Sequence, residues 1–279
     1  DLLSPYLIGA AVGAVIAAFL ALIQSGLSGV RSEGGAGNAA VFSIMSLCVM
    51  GIGGLNIASA SRARQLLAIA AVVGGTVALV MSLTRGVAIA LLPVLFLLFL
   101  FDPARWRSVV VRPISLAILT AATIAFYSFQ RMLDWRWEQT VREFHRILMG
   151  QQTTKSIGER LRLWEAGRDA FLESPFWGHG IQNRMASLVP ELSKDDLPIR
   201  SFTHAHNGFL SFALDGGILT LTALIAVLCA PVFIAWRAPR DANYRMRLFL
   251  ALIVSTTYAV SGMTQIMFKH DIMDAFFVF

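Results

Sequence analysis

Uncharged apolar runs such as LLPVLFLLFLF (91–101) and ILTLTALIAVLCAPVFIAW (218–236) recur along this chain and leave few folds open. As a helix, about 20 such residues match the ~30 Å hydrocarbon core of a bilayer. In that solvent each backbone N–H and C=O must be satisfied inside the segment, so only helices and closed barrels can span. The runs lack the strict alternation of apolar and polar residues that barrel strands require. The expected fold is therefore all-α, a polytopic transmembrane helical bundle. Composition agrees, since 56% of the 279 residues are hydrophobic and 14% are charged, against about 25% charged in soluble chains.

Seven full spans are predicted, at 3–24, 39–60, 66–84, 86–101, 109–129, 217–236 and 246–268, with an eighth beginning near Ile272. Arg62 and Arg64 share one connecting loop, Arg105, Arg107 and Arg112 a second, and Arg237, Arg240, Arg245 and Arg247 a third. The positive-inside rule assigns these loops to the cytoplasm, and they alternate correctly along the chain. The opposite side then holds 25–38, the turn at Arg85, the long segment 130–206 and the turn near Lys269. The resulting organisation is 1–129 as five spans, 130–206 as a large extracytoplasmic helical segment, and 207–279 as two spans and the start of a third. In a Gram-negative inner membrane that far side is the periplasm. The net charge of +6 lies mainly in the short loops, so topology accounts for it and no nucleic-acid partner is implied. Cys48 and Cys229 lie in apolar runs and read as packing residues. The chain starts with Asp and ends inside an apolar stretch, the pattern expected of a piece of a longer protein.

The segment 130–206 carries eleven Lys/Arg against ten Asp/Glu and reads as helical at 131–149 and 157–173. In the second helix Ile157, Leu161, Trp164 and Phe171 fall near one face, and SPFWGHG (174–180) ends it in a turn. Long segments translocate whatever their charge, so this one does not disturb the orientation.

Several polar residues on that side call for an explanation. Arg85, in SLTRG, sits in a turn of almost no length where a cation is disfavoured. It either snorkels to the interface or holds an anion. Arg160 and Arg162 lie in SIGERLRLW beside Glu159 and Glu165, as a solvated helix face or an anion contact. Arg31 opens a glycine-rich loop, either plain loop or anion cradle. His204 and His206, in HAHNGF, precede an apolar run, with Asn207 next to them. Two histidines two residues apart, without a third ligand nearby, make a poor metal site. One imidazole near neutral pH is better suited to moving a proton, while a polar cap for the following helix is the alternative. Arg31, Arg85, Arg160 and His206 share one side of the membrane. Guanidinium forks match phosphate oxygens, so converging arginines would hold a diphosphate, and a nearby histidine could activate a hydroxyl.

At this point the chain resembles the O-antigen ligase and O-antigen polymerase superfamily of bacterial inner-membrane glycosyltransferases. SLTRG (82–86) resembles its Ser-x-Ser-Arg-Gly element, with Thr84 for the second Ser. SIGERLRLWEAGRDAFLESPFWGHG (156–180) resembles its Arg-Leu-x-x-Trp helix followed by Pro-x-x-Gly-x-Gly, which selects Arg160 over Arg162. HAHNGFLSFALDGGILT (204–220) resembles its His-Asn element with following glycines, here Gly216 and Gly217, which selects His206 with Asn207. RSEGGAGNAAVF (31–42) resembles an earlier Arg-Gly-Asn loop more loosely. The pattern departs at Thr220, where the family often has a second spaced glycine.

The resemblance implies a GT-C-like bundle of about a dozen spans and a transferase that needs no metal or other cofactor. The donor would be a glycan on undecaprenyl diphosphate, taken on the periplasmic side. The acceptor would be lipid A-core in a ligase, the reading favoured, or another lipid-linked repeat unit in a polymerase. By that carry-over Arg85 and Arg160 hold the diphosphate and His206 activates the acceptor, with Arg31, Arg162, His204 and Asn207 as further substrate contacts. A lipid-linked glycan transporter or flippase is the rival of another class. It would need ionisable residues at mid-span and internal repeats, and the sequence offers nearly none of the first and none of the second.

Overall fold

The computed structural model describes residues 3–28, 31–102, 104, 141–142, 145–146, 148–149, 156–192, 202 and 204–278. The predicted span 109–129 and most of the predicted helix 131–149 lie outside these residues. The ordered elements described are α1 (Leu3–Ser28), α2 (Ala39–Gly54) with a 3-10 turn (Leu55–Ala58), α3 (Arg62–Met81), α4 (Arg85–Ala88), α5 (Leu91–Phe101), α6 (Ser156–Glu173), a second 3-10 turn (Ala186–Glu191), α7 (Gly208–Arg237), α8 (Tyr244–Gly262) and α9 (Asp271–Val278). No strand occurs among the described residues. Among the described residues four helices are long and apolar enough to cross a membrane: Leu3–Gly26, Ala39–Ala58, Arg62–Met81 and Gly208–Arg237.

The chain divides into two compact units. The first comprises 1–123, 228–261 and 267–279, and its centre is the packing of α1, α2 and α3. Without a hydrophobic drive between helices in lipid, close backbone approach supplies the contact, and small residues permit it. A Cβ on Gly53 would stand 2.6 Å from the Cα of Ala11, and one on Gly74 2.8 Å from the carbonyl oxygen of Ala14. Ala11, Ala14 and Ala21 are fully buried on α1, while Ile16, Phe19 and Leu22 on its other side are exposed, the reverse of a water-soluble helix. Cys48 is buried as expected, but Cys229 is exposed: its apolar run turns it outward rather than into a core.

The first unit gathers its turns at two ends. At one end the segments 55–64 and 243–246 line a common pocket through Leu55, Ser59, Arg64, Asn243 and Met246. Arg245 donates to the Leu100 carbonyl at the close of α5, at 2.9 Å. A cation at a helix C-terminus also satisfies orphan carbonyls and the helix dipole. At the other end the turns 31–38 and 82–85 meet.

The helices differ from the predicted spans where local chemistry intervenes. The run 86–101 is split into α4 and α5. Pro93 has no N–H to continue the ladder from Ile89, and α5 alone, at 11 residues, reaches only about 16 Å. The span expected at 217–236 belongs to a helix that begins at Gly208, and the backbone breaks helical form at Gly216 and Gly217. The span expected at 246–268 ends at Gly262.

The second unit comprises 124–227 and 262–266. Its core joins Leu163, Ala166 and Ala170 of α6 to Leu188, Leu192 and Leu214, with Trp164, Phe171, Met185, Phe202 and Leu210 around them. The predicted face of α6 is therefore rotated: Leu161 is exposed, whereas Trp164 and Phe171 flank the core. Small residues decide this, because Gly167 has no Cβ where Leu210 packs, and one added there would stand 2.7 Å from it.

Candidate active site

In the first unit, Arg31 and Arg85 lie in the two turns that meet. The side-chain oxygen of Gln24 accepts from the Ser32 hydroxyl and from the N–H groups of Glu33 and Gly34, each at 2.9 Å, which fixes the loop after Arg31. The Ser32 N–H then donates to the Met81 carbonyl at 3.0 Å, at the end of α3. Asn38 caps α2, accepting from the Ala40 N–H at 2.8 Å. Thr84 donates to the Ala39 carbonyl at 3.3 Å and so ties the second turn to the same place. Leu83 has φ of 51°, a strained value for a leucine, and the chain reverses there to start α4 with Arg85. Arg31 is exposed and Arg85 half-buried.

In the second unit, Arg160, His204 and His206 come together. Trp164, one turn beyond Arg160 on α6, donates its indole N–H to the Ala205 carbonyl at 3.0 Å and holds the histidine turn against the helix. The rings of His204 and His206 lie 4.2 Å apart, centroid to centroid, and Phe202 meets the His206 ring edge-on at 5.3 Å. His206 has φ of 50°, in the left-handed region. Burial, then the neighbouring His204, then the Arg160 guanidinium push the His206 imidazole down to about 4. Burial, then Arg184 and Arg160 also lower His204. The Nδ1 atom of His206 is buried and finds no hydrogen-bond partner. A neutral imidazole with a vacant nitrogen can accept a proton.

Asn207 has a structural task as well. It caps α7, its side-chain oxygen accepting from the Leu210 N–H at 3.1 Å. Arg162 is half-buried on α6.

The glycines after the histidine turn form the floor of this unit. SPFWGHG (174–180) lies directly on the break in α7. His179 N–H donates to the Leu214 carbonyl at 2.7 Å, Gly180 N–H to the Asp215 carbonyl at 2.9 Å, and Ile218 N–H to the Pro175 carbonyl at 2.8 Å. The Thr220 hydroxyl reaches back across the break to the Phe212 carbonyl. The departure at Thr220 thus supplies a bond that a glycine could not.

Sequence reasoning missed one feature. Arg184 and Asp215 form a buried, two-pronged ion pair, with Nε donating to Oδ1 at 2.8 Å and Nη2 to Oδ2. The signal was available: Asp215 is the only acidic residue between Asp196 and Asp241, at the mouth of an apolar helix. A carboxylate there needs a partner.

The profile of the O-antigen ligase family matches residues 70–225, more than half of the chain. The chain belongs to the O-antigen ligase family. The match takes in Arg85, Arg160, Arg162, His204, His206 and Asn207, and leaves Arg31 outside. Comparison with curated proteins finds no match. Membership, with four membrane-length apolar helices, makes this an integral membrane protein with an O-antigen-ligase-type role in lipopolysaccharide synthesis.

Proposed function

We propose that this O-antigen ligase family member moves a glycan from undecaprenyl diphosphate to a hydroxyl of lipid A-core, at the periplasmic face of a Gram-negative inner membrane. The observation that carries the reading is the half-buried His206 ring, set beside the Arg160 cation on a turn that the Trp164 bond to Ala205 holds against α6. In this reading Arg160 holds the diphosphate, whose departure is eased by fixed positive charge, and Arg85 is assigned a diphosphate contact by its motif alone. His206 takes the proton of the attacking hydroxyl. Attack on the anomeric carbon and loss of the lipid diphosphate occur in one displacement, so the anomeric configuration inverts. Arg31, outside the family match, would be an outer contact of the donor.

The test is made in cells that make capped lipopolysaccharide, with each variant in place of the native protein. Arg160→Ala or Arg85→Ala is expected to leave bare core and stranded lipid-linked polymer while protein levels hold. Normal capping would refute the assignment. Core bearing a single repeat unit would instead mark the protein as a polymerase.

The acid limb of the pH profile gives an independent check. An ordinary histidine titrates near 6.5 and would lose its base form as pH falls through that value. Because His206 is pushed down to about 4, its neutral form persists well below the usual range. For the protein in proteoliposomes, kcat/KM is expected to stay level through pH 6.5 and to fall only toward 4. A half-maximum near 6.5 would mean that His206 is not the base.

A further inference from the structure

Arg184 and Asp215 are 8% and 7% exposed, and the transfer described above uses neither. Their mutual attraction only partly returns the hydration a buried ion pair gives up, so a well-packed apolar pair would hold the fold at least as well. Their position supplies a reason for the charge. Asp215 is the last residue before the break in α7, and it holds the segment 180–192 twice, by its carbonyl to the Gly180 N–H and by its side chain to Arg184. That segment is pinned to α6 by Leu188 and Leu192. The Arg184 cation consequently stands fixed where it acts on His204, whose ring packs on His206. Among the described residues Arg160 from α6 and Arg184 from 180–192 act on the rings, His204 itself acts on His206, and Asp215 of α7 is joined to Arg184.

We propose that Arg184 and Asp215 are a positioning pair for the transfer: the carboxylate fixes the guanidinium, and with it the segment 180–192, against the core on which Phe202 packs, and Phe202 meets the His206 ring, so that the pair sets the place of His206. The proposal rests on the reading of His206 given above. Neither residue need touch the glycan or the diphosphate.

The test uses the full chain in proteoliposomes, with Arg184→Met, Arg184→Lys and Asp215→Asn. Arg184→Met removes the cation and keeps the stem. It is expected to lower kcat about tenfold with KM little changed, because a displaced His206 accepts the proton poorly while the donor still binds. Arg184→Lys keeps the charge without the fork, so part of the rate should return. Asp215→Asn should lower kcat in the same way. An unchanged kcat in folded Arg184→Met overturns the proposal. So does failure of all three variants to fold, which would make the pair a fold-stabilising bridge. His206→Ala separates the two levels: if it is active the underlying reading falls, and if it alone is inactive only the positioning pair falls.

Discussion

Replacing His206 with alanine is expected to lower the rate of glycan transfer by about 10²- to 10⁴-fold, the usual worth of a positioned proton acceptor. Folding should survive the change. The imidazole is only half-buried, and its Nδ1 has no partner to lose. Its left-handed backbone, at φ of 50°, costs alanine somewhat more than histidine, which is enriched in that region, yet far less than the ~5–15 kcal/mol that holds a domain. The contacts that hold the turn belong to neighbours: Ala205 through its carbonyl to Trp164, and Asn207 through the cap of α7. Rate and stability therefore separate at this residue. The measurement is transfer by purified protein in proteoliposomes, set against thermal unfolding of the same preparation. A loss below about tenfold would reduce His206 to a wall of the site. His204→Ala is expected to cost less, since that ring packs on His206 and does not itself take the proton in this reading.

How far the sequence led depends on which physical quantity each feature needs. Membrane spans are legible because length and hydropathy suffice, as α1, α2 and α3 show. The split of 86–101 depends on one missing N–H at Pro93, which hydropathy does not register. The buried face of α6 was misplaced because large apolar residues were weighed, whereas Ala166, Gly167 and Ala170 permit the closest approach. At the site, Arg160 and His206 were legible through their motif spacing, and their meeting depends on the Trp164 bond to Ala205, which no spacing announces. Asn207 carries a task that the resemblance does not name: its side-chain oxygen caps α7. Arg184 and Asp215 are 31 positions apart, and only the fold makes them neighbours.

Replacing Gly217 with alanine is expected to do the converse of His206→Ala and remove the folded protein itself. Gly217 has φ of 66° and ψ of −150°, a combination that essentially glycine alone adopts. Strain of this kind costs about 1–3 kcal/mol before any contact is counted. An added Cβ would also stand 2.4 Å from both the carbonyl carbon and the carbonyl oxygen of Phe176. Those atoms are backbone and cannot swing aside as a side-chain end would. The turn 174–180 would have to lift, breaking the bond from the Ile218 N–H to the Pro175 carbonyl and putting at risk those from His179 and Gly180. The combined destabilisation is expected to exceed about 3 kcal/mol, a large share of the ~5–15 kcal/mol that holds an ordinary domain. Gly178→Ala attacks the same seam from the other side, with a Cβ 2.5 Å from the Gly216 nitrogen, and should behave alike. Membrane-inserted protein should fall steeply for both variants, in contrast to His206→Ala. Wild-type levels and unfolding temperature for Gly217→Ala would show that the seam opens at little cost.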